Sequence, residues 1–237
     1  MSTIADRYHA VRARIAEAAL RAGRSPQDVQ LVVVTKGHPV EAIREAVQAG
    51  ARTLGENYVE EALPKLAALG EARLSWHMIG HVQSRKARLV AENFAWVHSL
   101  DRLKLARRLH VIADAQGKRL PVLLECNVSG EASKFGWPAW DEAAWPALCE
   151  SLREVLTLPG LEVRGLMTMA PYAADPEAAR PVFRRLRRLR DYLREVFPET
   201  QWQHLSMGMS GDFEIAIEEG ATIVRIGTAI MGKRHTP

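Results

Sequence analysis

The segment Leu31-Val32-Val33-Val34-Thr35-Lys36 runs four apolar residues through a threonine into a lysine. A cation at the end of a buried strand is partly desolvated, which lowers the pKa of an ammonium and leaves a neutral amine available as a nucleophile. Such an amine forms a Schiff base with an aldehyde. The alternative is a lysine that merely ends the strand and points into solvent, and position alone leaves the two readings open.

The C-terminal part of the chain supplies a partner for that amine. In HLSMGMSGDFEIAIEEG, Ser206, Gly208, Ser210 and Gly211 precede an apolar periodic run with Asp212 and Glu214 in its first turn. Hydroxyls and unpaired N–H groups where a loop opens a helix suit an anion. In VRIGTA, Gly227 and Thr228 follow a short apolar run, with room for backbone N–H groups to approach a phosphate. Ordinary capping by Ser210 and a tight turn at Gly227 would explain the same residues. Arg225 stands just before the second loop. It is either a structural ion-pair partner or, being a donor without an acceptor, a group that would keep a facing ring nitrogen unprotonated.

These residues need elements to bring them together. Apolar or β-branched runs at 31–35, 53–54, 75–79, 95–98, 122–127, 162–167, 203–206 and 222–226 read as eight strands. Helical patterns separate them, after a first helix over about 3–21. In HPVEAIREAVQAG, for example, Ile43, Ala46 and Val47 share a face, Pro39 lies near the start and Gly50 follows the end. Alternating strands and helices imply parallel pairing, and eight units close most naturally into a (β/α)8 TIM-type barrel, here with an extra N-terminal helix. An open doubly wound sheet is the alternative. In the barrel, Lys36 falls at the C-terminal end of the first strand, and the two anion-type loops follow strands seven and eight, where barrels commonly hold phosphate.

The chain has 237 residues, 47% of them hydrophobic, which suits one barrel domain spanning 1–237. No apolar run reaches the ~18 to 20 residues needed to span a bilayer, and the N-terminus does not have the form of a signal peptide. Cys126 and Cys149 form no metal-type or redox-type pair. A soluble, cytoplasmic protein is expected. The net charge of +4 comes largely from RPVFRRLRRLRDYLRE, where Val182, Phe183, Leu186, Leu189, Leu193 and Val196 recur at helical spacing. That pattern predicts an amphipathic helix with a solvated basic face rather than a nucleic-acid site, because no aromatic platform accompanies the arginines.

Taken together, LVVVTK, GARTLGENYVEEALPK, WHMIGHVQSRK, HSLDR, GLMTMAP, LSMGMSGDFEIAI and VRIGTAIMGKR resemble the pyridoxal phosphate (PLP) homeostasis protein family, also called the PROSC family. The resemblance implies a barrel similar to the N-terminal domain of bacterial alanine racemase, binding PLP as an internal aldimine. By motif it makes Lys36 the Schiff-base lysine and sets Arg225 at the pyridine nitrogen. It puts Ser210, the backbone of Met209 and, as a neighbour, Ser206 at the phosphate, with the amides of Gly227 and Thr228 completing the cradle. Asn57 would lie beside the cofactor. Where many members carry a second lysine or arginine two positions after the first lysine, this chain has His38, which makes that position pH-dependent.

The same resemblance implies a protein that manages the intracellular PLP supply as a monomer without established turnover, with apo-PLP enzymes as recipients and no membrane or nucleic-acid partner. A small PLP-dependent racemase or lyase is the alternative. It requires a second acid/base group, which alanine racemase takes from a β-domain for which this chain leaves no room.

The remaining signals carry plainer expectations. His77 and His81 read as strand-end packing or ligand rim rather than metal ligands, Trp76 as core, and Met167 and Met169 as core or pocket wall. Lys134 and Gly136 belong to a turn over the barrel mouth. Glu60, Glu61 and Lys65 read as a solvated charged face.

Overall fold

The apolar run at 31–34 forms β1 (Gln30–Val34), and its four valine and leucine side chains are buried on both faces of the strand. Burial on both faces marks a strand in a parallel sheet covered by helices. The computed structural model describes residues 2–70 and 73–233; Arg234, which closes the last quoted motif, lies outside them. Seven further parallel strands follow: β2 (Thr53–Glu56), β3 (Ser75–Met78), β4 (Trp96–Leu100), β5 (Leu120–Asn127), β6 (Leu161–Met167), β7 (His204–Ser206) and β8 (Ile223–Ile226). β1 pairs with both β2 and β8, and β4 pairs with β5, so the sheet closes on itself. The expected (β/α)8 barrel is the observed one, and the open sheet is excluded by that closure. A two-residue strand, Trp137–Pro138, adds to β5 at its far end.

The ring of helices is α2 (Val40–Gln48), α3 (Val59–Leu69), α4 (Ala87–Asn93), α5 (Leu103–Ala115), α6 (Trp145–Leu156), α7 (Arg180–Val196), α8 (Phe213–Glu218) and α9 (Thr228–Met231). The last two have only six and four residues. They leave a gap that the extra N-terminal helix α1 (Ile4–Arg21) fills by packing on α2, α8 and α9. Its start is fixed by a capping box in which Thr3 Oγ1 accepts from the Asp6 N–H and Asp6 returns the bond. Most of the apolar core lies between strands and helices. A small separate cluster of Val32, Leu123, Met167 and Ile223 fills the barrel interior with Trp96 and Met169.

Two surface expectations change in the structure. The arginines of α7 are not merely solvated: Arg180 bridges Glu177, Glu218 and Glu219, Arg184 and Arg187 also reach Glu219, and Arg188 pairs with Glu142. Arg185 and Arg194 donate to the carbonyls of Val128 and Trp202, and Arg190 pairs with Asp191. The acidic stretch of α3 is not a solvated face either. Glu60 is exposed and pairs with Lys86, but Lys65 is buried and inward, because three acceptors from two strand ends and its own helix lie within its reach.

Candidate functional site

A cavity of about 450 Å³ opens at the C-terminal end of the barrel, where chemistry sits in this architecture. Lys36, Asn57, Met209, Ser210, Arg225, Gly227 and Thr228 all line it. Ser206, the eighth expected site residue, does not. It is fully buried on β7, and its Oγ accepts from Arg225 Nη1 at 2.7 Å. The remaining wall comes from Val34, His38, Ile79, Met169, Gly211, Asp212 and the segment after β6, including Pro171, Tyr172 and Asp175. That segment's contribution went unread in the sequence, although its two prolines flag an irregular connection.

Each residue arrives by a separate element. Lys36 and His38 follow β1, with the Thr35 N–H donating to the Gly55 carbonyl so that β1 stays paired to its end. Asn57 follows β2 and packs on Gly80: a Cβ at position 80 would come within 2.4 Å of the Asn57 carbonyl oxygen, so only glycine allows this approach. The two anion-type loops meet through Ser210, whose Oγ accepts from the Ala229 N–H at 3.2 Å. The Met209 N–H, expected to face an anion, instead donates to Asp212 Oδ1 at 2.6 Å, so Met209 shapes the loop and offers its side chain to the cavity. Asp212 is pushed up by burial, against the pull of that amide and of Arg225.

Arg225 is held by both terminal nitrogens of its guanidinium. Nη2 donates to the Thr168 carbonyl at 2.9 Å while Nη1 holds Ser206. Burial lowers its pKa to about 10, with Glu125 and Asp212 acting in the opposite sense, so it remains a cation at neutral pH. Behind it runs a chain of hydrogen bonds through the barrel interior. Ser206 Oγ meets His98 Nδ1 at 2.9 Å, His98 Nε2 meets His77 Nδ1 at 2.9 Å, and His77 Nε2 meets Ser75 Oγ at 3.0 Å. Because the guanidinium can only donate, satisfying every hydrogen in the chain puts the proton of both histidines on Nε2. Burial, and then His204, hold His77 down at about 3, and burial holds His98 well below its ordinary value, so both rings are neutral. His77 therefore packs inside the barrel rather than at a rim. His81, the other histidine of that motif, pairs with Asp101 at 2.9 Å and stacks on Phe135. Among the described residues no group of three or more His, Cys, Asp or Glu side chains is arranged to hold a metal.

Glu125, on β5, was also missed in the sequence. Burial and the nearby Asp101 push it up to about 7. Lys134, expected over the mouth, pairs with Glu131 at 3.8 Å and does not line the cavity.

The donors present fit a flat, phosphate-bearing ring. Asn57 Oδ1 is buried beside the cavity without a protein partner, the kind of orphan that a ligand satisfies. At Gly227 a Cβ would stand 3.3 Å from Val34 Cβ, so glycine keeps that wall open. The volume lies in the range of small-molecule sites.

Barrel, cavity and loops define a class, the alanine racemase N-terminal domain, whose family description matches residues 7–235. A pyridoxal phosphate homeostasis protein of Pseudomonas aeruginosa is 50% identical over 234 residues, covering 99% of this chain and 97% of its own. One from Escherichia coli is 42% identical over 237 residues, with 99% and 98% covered. The chain belongs to the pyridoxal phosphate homeostasis protein family. Among solved structures, PipY of Synechococcus elongatus with PLP bound is 39% identical with a TM-score of 0.76, covering 92% of this chain and 100% of that one. An alanine racemase of Clostridium difficile, 15% identical with a TM-score of 0.72 over 98% of this chain and 58% of its own, is alike in fold.

Proposed function

We propose that this chain binds pyridoxal 5'-phosphate at the barrel mouth, as a Schiff base on Lys36, and serves intracellular PLP homeostasis as a carrier without turnover. The observation that carries the reading is the convergence of Lys36, Arg225 and the loops after β7 and β8 on one cavity. When bound, the cofactor supplies an aldehyde open to an amine and a ring able to hold negative charge. Lys36 Nζ is the amine. The Arg225 guanidinium donates to the ring nitrogen and keeps it unprotonated, which weakens the ring as an electron sink. Ser210 Oγ and the amides of Gly227 and Thr228 hold the phosphate, Asn57 sits beside the ring, Met209 forms wall, and Ser206 acts from beneath by fixing Arg225.

Carriage is favoured over racemisation by the placement of the tyrosine in the wall and by the relatives. A second proton transfer needs an acid/base group held against the ring face opposite the lysine. Tyr172, the tyrosine of the cavity wall, is 99% exposed and not held there. The relatives named above are homeostasis proteins. We further assign the whole chain to one PLP-binding domain, acting as a monomer that delivers to apo-PLP enzymes. A reducing cytoplasm suits the two free, buried thiols, Cys126 and Cys149. Among the described residues, no helix is long and apolar enough to cross a membrane.

The test is the visible absorption spectrum of the protein with added PLP, followed by borohydride reduction and peptide mapping, for the native chain and Lys36→Ala. A band lost in the variant and a pyridoxyl group on Lys36 are expected. A band that persists in Lys36→Ala would overturn the assignment. Sustained deuterium exchange at Cα of added amino acids would replace carriage by catalysis.

A further inference from the structure

The turn that carries Lys36 is gripped from the neighbouring helix by a buried charge cluster with no evident part in ligand contact. Lys65 Nζ donates to the Thr35 carbonyl at 2.9 Å, to Glu56 Oε1 at 2.7 Å and to Glu61 Oε1 at 2.6 Å. An ammonium has three hydrogens, so these three acceptors use it completely. The same two carboxylates reach the residues on either side of Lys36. Glu56 Oε1 accepts from Thr35 Oγ1 at 2.6 Å, and Glu61 Oε1 accepts from the Gly37 N–H at 2.5 Å. The residue before Lys36 is therefore tied directly to Lys65, and the residue after it is tied to Lys65 through Glu61, both on α3.

Stability alone explains this arrangement poorly. Glu56 is fully buried, its Oε2 has no partner, and burial pushes its carboxyl up despite Lys65 and Thr35. A buried ion pair with an unmet oxygen contributes little over apolar packing of the same volume. Its geometric effect is specific, since it fixes the backbone from which the Lys36 side chain projects into the cavity.

We infer that Lys65, Glu56 and Glu61 are positioning residues for Lys36, holding its amine at the place where a ligand aldehyde must meet it. The inference rests on the PLP reading and deepens it. A reacting amine must be held to within a fraction of an ångström of productive geometry, and groups that act through another residue typically change activity about 10- to 100-fold. The cluster also separates two nearby lysines by role: Lys36 lines the cavity, while every donor of Lys65 is spent on the clamp.

The test compares PLP with pyridoxamine 5'-phosphate, which offers the same ring and phosphate but no aldehyde. The chains are wild type, Glu61→Ala and Lys65→Met. Glu61 is half-buried, and its removal leaves the Lys65–Glu56 pair in place, so Glu61→Ala keeps the question answerable if Lys65→Met does not fold. The expected result is a fall of about tenfold in the rate of borohydride-trapped labelling at Lys36, with pyridoxamine phosphate affinity unchanged. Parallel losses for both ligands would mean general damage to the pocket and overturn the inference, as would wild-type labelling rates in a folded variant. No label on Lys36 in the wild-type chain would remove the PLP reading and this inference together. Label on wild type with no split between ligands removes only the inference.

Discussion

At the scale of single residues, the interior histidines make a pH-dependent contribution to stability. His77 has a folded-state pKa near 3 against an ordinary 6.5, so between those values the unfolded chain binds a proton that the folded chain refuses. The contribution is therefore fully present above about pH 6.5 and is lost as pH falls below it. Glu125, raised to about 7, acts in the opposite sense: over roughly pH 4.5 to 7 the folded state holds the extra proton, and stability from this group falls as pH rises. The two partly cancel in the wild type, so the informative quantity is a difference. In urea unfolding between about pH 6 and 4, the wild type is expected to lose about 1.4 kcal/mol per pH unit more than His77→Gln. Equal slopes would show that His77 is not held neutral in the interior.

At the scale of elements, the loops after β7 and β8 depend on a helix that belongs to no β/α unit. α9 has a single turn and α8 fewer than two, so neither buries enough apolar surface to hold its loop in place. α1 supplies the missing surface by packing on both, with Val11 and Ile15 among its buried residues, and Arg7 Nε donates to the Ile230 carbonyl of α9 at 2.7 Å. Ile15 is 2% exposed. Ile15→Ala is expected to cost about 2 to 4 kcal/mol, read as a shift of the urea midpoint. Because α1 packs on α8, PLP affinity should fall with it. A destabilised variant that binds PLP as tightly as wild type would show that the loops hold without α1.

At the scale of the whole molecule, the eight strands bring Lys36, Arg225 and the loops after β7 and β8 to one opening, so ligand binding and global stability are linked. A ligand at about 100 times its dissociation constant adds about 2.7 kcal/mol to the folded state. For a chain of this length that corresponds to roughly 5 to 10 °C in Tm. PLP is expected to raise the Tm of the wild type by that order and that of Lys36→Ala by clearly less, measured at matched ligand concentration. Equal shifts would mean that the lysine adds nothing to binding. The basic helix α7 belongs to this scale too. Each of its seven arginines, from Arg180 to Arg194, has a partner within the chain, and three converge on the buried carboxylate of Glu219. Its charge is used to fasten the helix to the barrel and to the end of α8.

Sequence alone carried the barrel, because alternation of apolar runs with 3.6-residue periodicity is a local property and eight such units leave few ways to close. It carried Lys36, Arg225, Ser210, Gly227 and Thr228 as candidates too, since each stands near the end of a strand or in the loop after it, and these define the mouth; the family resemblance added Asn57. The strand limits were less legible: β2 runs two residues past the pair at 53–54, because Gly55 packs on Val32 and Glu56 on Lys65 of α3, partners that lie elsewhere in the fold. What tertiary structure decided was the partnership of polar groups far apart in the chain. Ser206 read as a phosphate neighbour but lies beneath Arg225, and His77, read as strand-end packing or rim, joins an interior chain that ends at that same guanidinium. Lys65 read as a solvated helix position because i,i+4 spacing to Glu61 is the usual mark of an exposed pair, and nothing local shows that Glu56 and the Thr35 carbonyl stand within reach. Periodicity reports which face of an element is buried; which polar groups meet inside that burial is set by how the strands close.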